Sequence, residues 1–501
     1  MHFRTEENIM SGRNEQSKSA IFDIDKEKNF PDWYGEICRV AELADIRYGV
    51  KGFTPFLPWS LMTMNNMFDI LEEVLQRKDH LPMLFPTVIP ESNLTKEAHH
   101  VAGFVPQVFW IQDTGEDGKL EERLALRPTS ETAIYPMYAL WVRSWRDLPL
   151  KRYQRCSVFR SEVKSTRPFL RGREFLWIES HNVFTTHDEV MAQVQEDLET
   201  TKEVVTDNFG IPAMVFRRTQ WDKFPGGLNT YAADTRMPDG KVIQLPSTHD
   251  LGDNFARAFD IKFLNENNEV MYAWQTCYGP AISRIFGALI SVHGDNKGLR
   301  LPFKIAPYQI VVIPIYKGKD AEMVKEYSRK IQKDLRKAGF RVYLDDTDNT
   351  PGWKYNFWEM KGVPIRVEIG PRDIKENKAV LFRRDSMKRE TIGIKDLKKR
   401  VSALGKEIDT NLRAEAESKL VGFVVDADAI GAIEDALDKG KIARTSFCTT
   451  EMEGQPCADE IKERTGGEVR GTRIDADEQP AGVCPVCGKI ATAVVYIARS
   501  Y

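Results

Sequence analysis

Between Lys151 and Arg173, eight basic side chains (Lys151, Arg152, Arg155, Arg160, Lys164, Arg167, Arg171 and Arg173) face one acid, Glu162, a local charge of +7 in a chain whose net charge is -3. Guanidinium groups suit the handling of a polyphosphate. They offset the negative charge that gathers at phosphorus, and their forked donors fix the geometry of the reactants. A run of charge is commonly a solvated face, but here Phe159, Phe169, Leu170, Phe175, Leu176 and Trp177 interleave with the arginines. That places some of the arginines on a half-buried sheet, where they need anionic partners. No glycine-rich loop ending in GK[ST] occurs, so a Walker-type cradle does not hold the phosphate.

A second constellation lies near the other end. Cys448-x8-Cys457 and Cys484-Pro485-Val486-Cys487-Gly488 hold four of the seven cysteines, with Cys38, Cys156 and Cys277 elsewhere. A CxxC followed by glycine is a tight knuckle that can set two sulfurs on one tetrahedral ion, and a second pair would close a structural zinc site. The looser first spacing leaves metal-free or redox-active thiols as the alternative. An odd, clustered set does not suit a secreted disulfide framework.

The elements that must position these groups fall into three stretches, as a length of 501 residues allows. In the first, Met67, Phe68, Leu71, Val74 and Leu75 recur at helical spacing, and the helix should pack on a sheet. Next, Leu84 to Pro90 carries prolines in a strand-like run, which predicts an edge strand or an interface. A helix is predicted over Met191 to Phe209, closed by Gly210 with Val194, Leu198 and Val205 inward. Residues 294 to 302 turn to Gly, Asp, Asn and Lys. A strand (Gln309 to Ile315), a helix (Met323, Val324, Tyr327, Ile331, Leu335) and two more strands (Phe340 to Leu344, Val363 to Ile369) then read as an α/β unit. The expected domains are 1–303, 304–410 and 411–501. Met1 to Ala20 is polar, and nowhere do 18 uncharged apolar residues run together. A cytoplasmic protein without a membrane or DNA partner is the expectation. Near-neutral net charge excludes a uniformly basic nucleic-acid binder, but eleven basic residues against five acidic between Arg372 and Arg400 supply local positive charge.

Phe159-Arg160-Ser161-Glu162, with Arg171-Gly172-Arg173-Glu174-Phe175 after a loop, resembles motif 2 of the class II aminoacyl-tRNA synthetases. Gly279-Pro280-Ala281-Ile282-Ser283-Arg284 resembles their motif 3, and the Pro86 strand after its helix their motif 1. A finer resemblance, to prolyl-tRNA synthetases of archaeal and eukaryotic type, rests on Arg127-Pro128-Thr129-Ser130-Glu131, Phe169-Leu170-Arg171, Arg173 to Trp177, Pro351-Gly352-Trp353-Lys354, Gly362 to Asp373 and the terminal Arg499-Ser500-Tyr501. Ser247 stands where the family pattern has threonine, and Ala281 where it has a second glycine.

The resemblance implies an α+β catalytic domain on an antiparallel sheet, an α/β anticodon-binding domain and a small α+β zinc-bearing C-terminal domain, in a homodimer formed through the Pro86 segment. It implies that L-proline is activated with ATP and Mg2+ and then passed to tRNA(Pro). Thr129 and Glu131 would hold the imino group of proline, with Trp177 and His249 beside its ring. Arg160 would bridge the amino-acid carboxylate and the α-phosphate. Glu162 would meet the adenine amino group, Phe175 would stack on adenine, Gln244 and Ser247 would lie along the nucleotide, and Arg171 and Arg284 would clamp the outer phosphates. Lys354, Glu359, Lys361, Arg366 and Arg372, beside Trp353 and Trp358, would read the anticodon. The resemblance also implies that the Tyr501 tail folds back toward the catalytic domain, and that the stretch from Glu174 to Gly279 holds no inserted editing domain. Taken alone, Thr-Ser-Glu is also a helix N-cap with an acidic third position. A synthetase for threonine, glycine or histidine, or a non-catalytic RNA-binding paralogue, are the competing readings.

Overall fold

The computed structural model describes residues 22–100, 107–115, 118–161 and 165–501, without the side chains of residues 96–100. Its spine is an eleven-stranded sheet, and the order of its strands explains where the chemistry sits. From one edge they run Leu81–Pro82, Leu150–Phe159, Glu174–Phe184, Trp274–Tyr278, Val242–Gly252, Asn229–Arg236 and Met214–Arg217. The sheet then continues through Glu468–Arg473, Ala493–Ala498, Ile442–Phe447 and Val424–Asp426, which belong to the last hundred residues. All neighbours pair antiparallel except the two outermost strands, which run parallel to theirs. Of the run Leu84 to Pro90 expected at an edge, only Val88–Pro90 is strand, at the edge of a separate three-stranded sheet; the strand that flanks the large sheet, Leu81–Pro82, lies just before that run.

Period-2 alternation sorts the arginine-rich strands onto two faces. Tyr153, Ile178 and Tyr278 face one side, where the helices Phe30–Val40, Pro58–Arg77 and Ile282–His293 build the largest core. Met67, Phe68, Leu71, Val74 and Leu75 all lie inward there, as their spacing predicts. Cys156, Val158, Phe175 and Trp177 form a small cluster on the other side, continued along the same strand by Glu179 and His181. Arg155 goes to the helix side, 3.9 Å from the Phe68 ring and bonded to Asn65, and Lys151 pairs with Glu196 at 2.8 Å. Part of the basic run is therefore structural.

The helix predicted over 191–209 starts earlier, at His187, because Thr186 and Glu189 cap it reciprocally. Its last seven residues, Lys202–Asn208, are π-helical before Gly210 turns the chain at φ +70°. Leu198 is only half-buried, whereas Val194 and Val205 are buried.

The α/β unit is a five-stranded sheet ordered Val342–Leu344, Ile310–Pro314, Ile365–Ile369, Lys378–Arg383, Arg389–Gly393, with the first three strands parallel. The helix Ala321–Lys337 buries Val324, Ile331 and Leu335 against it, but Met323 faces solvent. The helix Leu397–Val421 runs across residues 410 and 411 without a break, so the chain enters its last stretch as a continuous rod.

Ion pairs are among the contacts that fix these parts. Asp295, after the helix Ile282–His293, takes both terminal nitrogens of Arg384 at 2.6 and 2.8 Å. In the large sheet, Asp234 accepts from Arg218 at 2.6 and 3.0 Å and from Arg470 of the C-terminal stretch at 2.8 Å. Burial alone would raise the Asp234 carboxyl, but the two guanidiniums hold it at about 2. Tyr501 folds back onto the catalytic part, its hydroxyl donating to Asp239 at 2.7 Å and its ring beside Lys241 and Arg167.

Candidate active site

The face of the sheet opposite the largest core collects two chemically opposite pockets. The first is acidic. Glu131 opens the helix Glu131–Trp141, and its carboxylate accepts from Thr129. Facing it, Glu179 accepts from Ser130 and from Gln154 Nε2 at 2.7 Å, and lies 3.2 Å from His181 Nε2. The other ring nitrogen of His181 meets the Tyr135 hydroxyl at 3.1 Å. Burial works against the Glu179 charge, yet His181 and its hydrogen-bond donors outweigh it and hold the carboxyl below its usual range. The same pairing raises His181 against its own burial. Atoms of Glu131, Glu179 and His181 all lie within 4.8 Å of one another. Two carboxylates around one point suit an ammonium-type cation.

The expected capping role of Thr129-Ser130-Glu131 is only partly realised. Ser130 occupies the N-cap position but makes no side-chain cap bond, because its hydroxyl goes to Glu179. The polar groups of the motif are turned to the pocket instead.

The second pocket is basic. Arg160 leaves the end of its strand 5.3 Å from the Phe175 ring and 6.0 Å from the Trp177 ring, with Nε donating to Pro128 O at 3.3 Å. Arg284 stands in the first turn of the helix Ile282–His293, whose positive end adds to the same field. Its guanidinium is pulled down to about 10, first by burial and then by the charges of Arg160 and Arg171. Among the described residues no carboxylate pairs with Arg171 or Arg284. Like charges brought together in this way mark a seat for an anion. A cavity of about 460 Å³ opens beside them, lined by Arg171, Glu174, Ser283 and Gly52 among others.

Phe175 and Trp177 separate the two pockets, their rings edge to face at 5.7 Å. The indole Nε1 of Trp177 is buried and has no hydrogen-bond partner. Gln244 accepts from Arg218 at 3.0 Å through its amide oxygen. Ser247 lies 3.1 Å from His249 Nε2, and Thr230 2.9 Å from the other ring nitrogen. Burial, then the nearby His181 and Arg218, push His249 down to about 3, so it is neutral at physiological pH. Glu162 lies outside the described residues.

Thr129, Glu131, Arg160, Phe175, Trp177, Arg171, Arg284, Gln244, Ser247 and His249 thus come from five separate stretches of sequence. Glu179, His181, Gln154 and Arg218 were not singled out from the sequence. The first two were within reach, because Phe175, Trp177, Glu179 and His181 alternate on one strand face and share whatever Trp177 lines.

The residues expected at the anticodon are spread more widely. Arg366 is buried between Glu359 at 2.8 Å and Glu368 at 2.9 Å, with one terminal nitrogen unpaired. Lys354 is buried against Asp345, donating to its backbone oxygen at 2.8 Å. Arg372 is exposed. Lys361 points away from this group, into the catalytic part, donating to Ala41 O at 2.7 Å and Glu42 Oε2 at 2.6 Å.

The four thiols Cys448, Cys457, Cys484 and Cys487 converge, with ligand atoms all within 4.8 Å and the first two sulfurs 3.8 Å apart. Sulfurs at about 2.3 Å from a tetrahedral Zn2+ stand about 3.8 Å from one another, so the donor set fits that ion. The Lys489 amide leads the effects that lower the Cys487 thiol to about 7, toward the thiolate a metal binds.

Known proteins match this architecture along nearly its whole length. A family model for the tRNA synthetase class II core domain (G, H, P, S and T) matches residues 109–293, one for an anticodon binding domain residues 309–404, and one for the prolyl-tRNA synthetase C-terminal region residues 430–501. The chain is 48% identical to Proline–tRNA ligase of Thermofilum pendens over 481 residues, covering 95% of this chain and 98% of that one. It is 43% identical to the Methanococcoides burtonii protein of the same name, covering 97% and 100%. Giardia lamblia prolyl-tRNA synthetase, solved in complex with prolyl-adenylate, superposes with a TM-score of 0.92 at 36% identity, covering 96% of this chain and 100% of that one.

Proposed function

The chain belongs to the prolyl-tRNA synthetase family of class II, archaeal type, and is a proline–tRNA ligase; from that premise we propose how its own residues carry the reaction. The secondary ammonium of proline sits between Glu131, Glu179 and the Thr129 hydroxyl, with its ring against Trp177. Its carboxylate then points to Arg160, which also takes the α-phosphate of ATP. Adenine stacks on Phe175, while Gln244 and Ser247 line the nucleotide. Arg171 and Arg284 hold the outer phosphates of ATP, which arrives as its magnesium complex.

One carboxylate oxygen attacks the α-phosphorus, the bond to the bridging oxygen breaks, and pyrophosphate leaves between Arg171 and Arg284. The terminal ribose hydroxyl of tRNA then attacks the acyl carbon, and AMP leaves. Neutral His249, held by Ser247 and Thr230, shapes the site without adding charge. The observation that carries this reading is the gathering of Arg160, Arg171 and Arg284, with Arg284 lowered to about 10 first by burial and then by the other two guanidiniums, next to a pocket of two carboxylates. Proline-dependent exchange of pyrophosphate into ATP tests it. Stimulation by proline over threonine, glycine and histidine is expected, and equal stimulation by all four would overturn it.

Glu359 and Arg372, with Trp353 beside them and Lys354 and Arg366 buried behind, form the surface proposed to read the anticodon, Arg366 holding Glu359 in place at 2.8 Å. The four cysteines would hold Zn2+, which supplies structural cross-linking there and no step of the reaction. Exposed Leu84, Leu140 and Trp141 near the Pro86 segment suit the proposed homodimer contact. The domains are proposed as 1–303, 304–410 and 411–501, and the setting as the cytoplasm; no described helix is long and apolar enough to cross a membrane.

A further inference from the structure

Residues 43–57 form a loop whose ends lie side by side. Leu57 donates to Leu43 O at 2.9 Å, Asp45 to Pro55 O at 3.1 Å, and Ala44 bridges Phe56. This loop supports the arginine-bearing segments at three points, two at its far end and one, Phe56, near its base. Gly52 O accepts the Arg173 amide at 2.8 Å. Phe53 stacks on Phe159, the neighbour of Arg160, at 6.5 Å, and Phe56 stacks on Phe169, two residues before Arg171, at 4.8 Å. Gly52 has φ +84°, and a Cβ there would come 2.7 Å from Arg173 Cγ, so the approach requires glycine.

The near end of the same loop is held from the α/β domain. Lys361, its side chain 5% exposed, donates to Ala41 O and Glu42 Oε2, and Trp59 Nε1 donates to Lys361 O at 3.0 Å. Glu42, where Lys361 grips, takes a left-handed φ of +52°, a conformation that surrounding contacts must maintain in a residue other than glycine. Guanidiniums that repel one another cannot hold their own spacing; something must brace them from behind. Glu131, Glu179 and His181, by contrast, are fixed by a helix, a strand and their own hydrogen bonds.

We propose that Lys361 is a positioning residue for ATP: by clamping the base of the 43–57 loop it sets the placement of Arg160 and Arg171, so the seating of the α/β domain governs how the triphosphate is held. This rests on those arginines being the ATP ligands. The test is pyrophosphate exchange by the full chain without tRNA, a condition under which a residue that only reads the anticodon has no effect. Lys361→Met should raise KM for ATP about 5-fold and KM for proline by no more than about 2-fold, since ATP draws on both Arg160 and Arg171 whereas proline draws on Arg160 alone. Lys361→Arg should restore most of the loss. Both Michaelis constants unchanged, or both raised by the same factor, would overturn the proposal. Should Lys361→Met fail to fold, Glu42→Gln, altering an exposed carboxylate, carries the test with about a 2-fold rise for ATP expected and no rise overturning it. Wild-type exchange that ignores proline would instead sink the reading of the site itself.

Discussion

Thr248 donates its hydroxyl to Asp197 at 2.6 Å from the face of its strand opposite to Ser247 and His249. Gln193 donates to the other carboxyl oxygen at 2.8 Å, so a helix on the far side of the sheet grips the strand that lines the site. Burial outweighs these bonds and pushes the Asp197 carboxyl up to about 7. For an acid whose folded value is raised, the folded state loses stability as pH climbs. Below the ordinary carboxyl value of 3.8 both states keep the proton; between 3.8 and about 7 the unfolded chain releases it first; above that the deficit is constant. Asp197→Asn should therefore stabilise the protein at pH 8, by on the order of 1 kcal/mol, and gain little at pH 4. The Thr248 hydroxyl can turn to accept from the new amide and donate to Cys277 O, already 3.4 Å away. Thermal unfolding at the two pH values checks this, and a gain independent of pH would contradict it.

Arg284 carries no bond to a described carboxylate, so replacing it should relieve repulsion in the empty enzyme while removing a ligand for pyrophosphate. Arg284→Gln is expected to leave the melting temperature unchanged or higher and to lower kcat/KM for ATP by about 100-fold or more. Arg160→Gln should do worse, because it takes one ligand from both substrates. A melting temperature that falls sharply in Arg284→Gln would mean that the guanidinium is a structural group after all.

The motifs for both pockets were legible in the sequence because they are local: Arg127 to Glu131, Phe159 to Trp177 and Gly279 to Arg284 each keep their spacing on one element. What was not legible depends on pairing across the sheet. Glu179 meets Ser130 and Gln154 only because strand 174–184 is registered against strand 150–159, with Glu179 opposite Gln154. Lys361 belongs to a motif that reads as RNA-binding, yet the fold turns it toward Glu42, 319 residues away. The continuity of the catalytic sheet with the C-terminal stretch was equally hidden, since it rests on two residue pairs, Thr472 with Arg217 and Arg473 with Phe216. Local chemistry can be read from a string; register and domain seating cannot.

Glu131 and Glu179 converge on one point, the proposed seat of the proline cation, and their surroundings differ enough to separate their roles. Glu179 is held by Ser130, Gln154 and His181, whereas Glu131 is bonded to Thr129. Glu131→Gln should raise KM for proline by about 100-fold, the loss of a charge-assisted bond in a dry pocket, and leave KM for ATP nearly unchanged. Glu179→Gln should in addition lower stability, because His181 loses the carboxylate that raises it. Steady-state exchange kinetics against proline and ATP separate the two. Equal effects on both substrates from Glu131→Gln would contradict the assignment.

The thiol cluster lies in the C-terminal stretch, and the Asp234 network ties that stretch, through Arg470, to the catalytic sheet. Cys457 stands on the helix Gln455–Thr465, directly before the strand Glu468–Arg473 that supplies Arg470. A metal that fixes this helix therefore also fixes the strand. Native protein should contain one zinc per chain, and Cys484→Ser should abolish it; protein purified without chelator and found free of zinc would refute the site. Loss of the ion should loosen the strand, leaving Asp234 with Arg218 alone. Arg470→Met isolates that last step, since it keeps the four thiols but removes a partner from a fully buried carboxylate, at a cost of about 3 kcal/mol. Because Arg218 also holds Gln244, the weakening should reach the nucleotide, raising KM for ATP in Arg470→Met while zinc content stays at one per chain. An unchanged KM in a destabilised Arg470→Met protein would confine the network to stability.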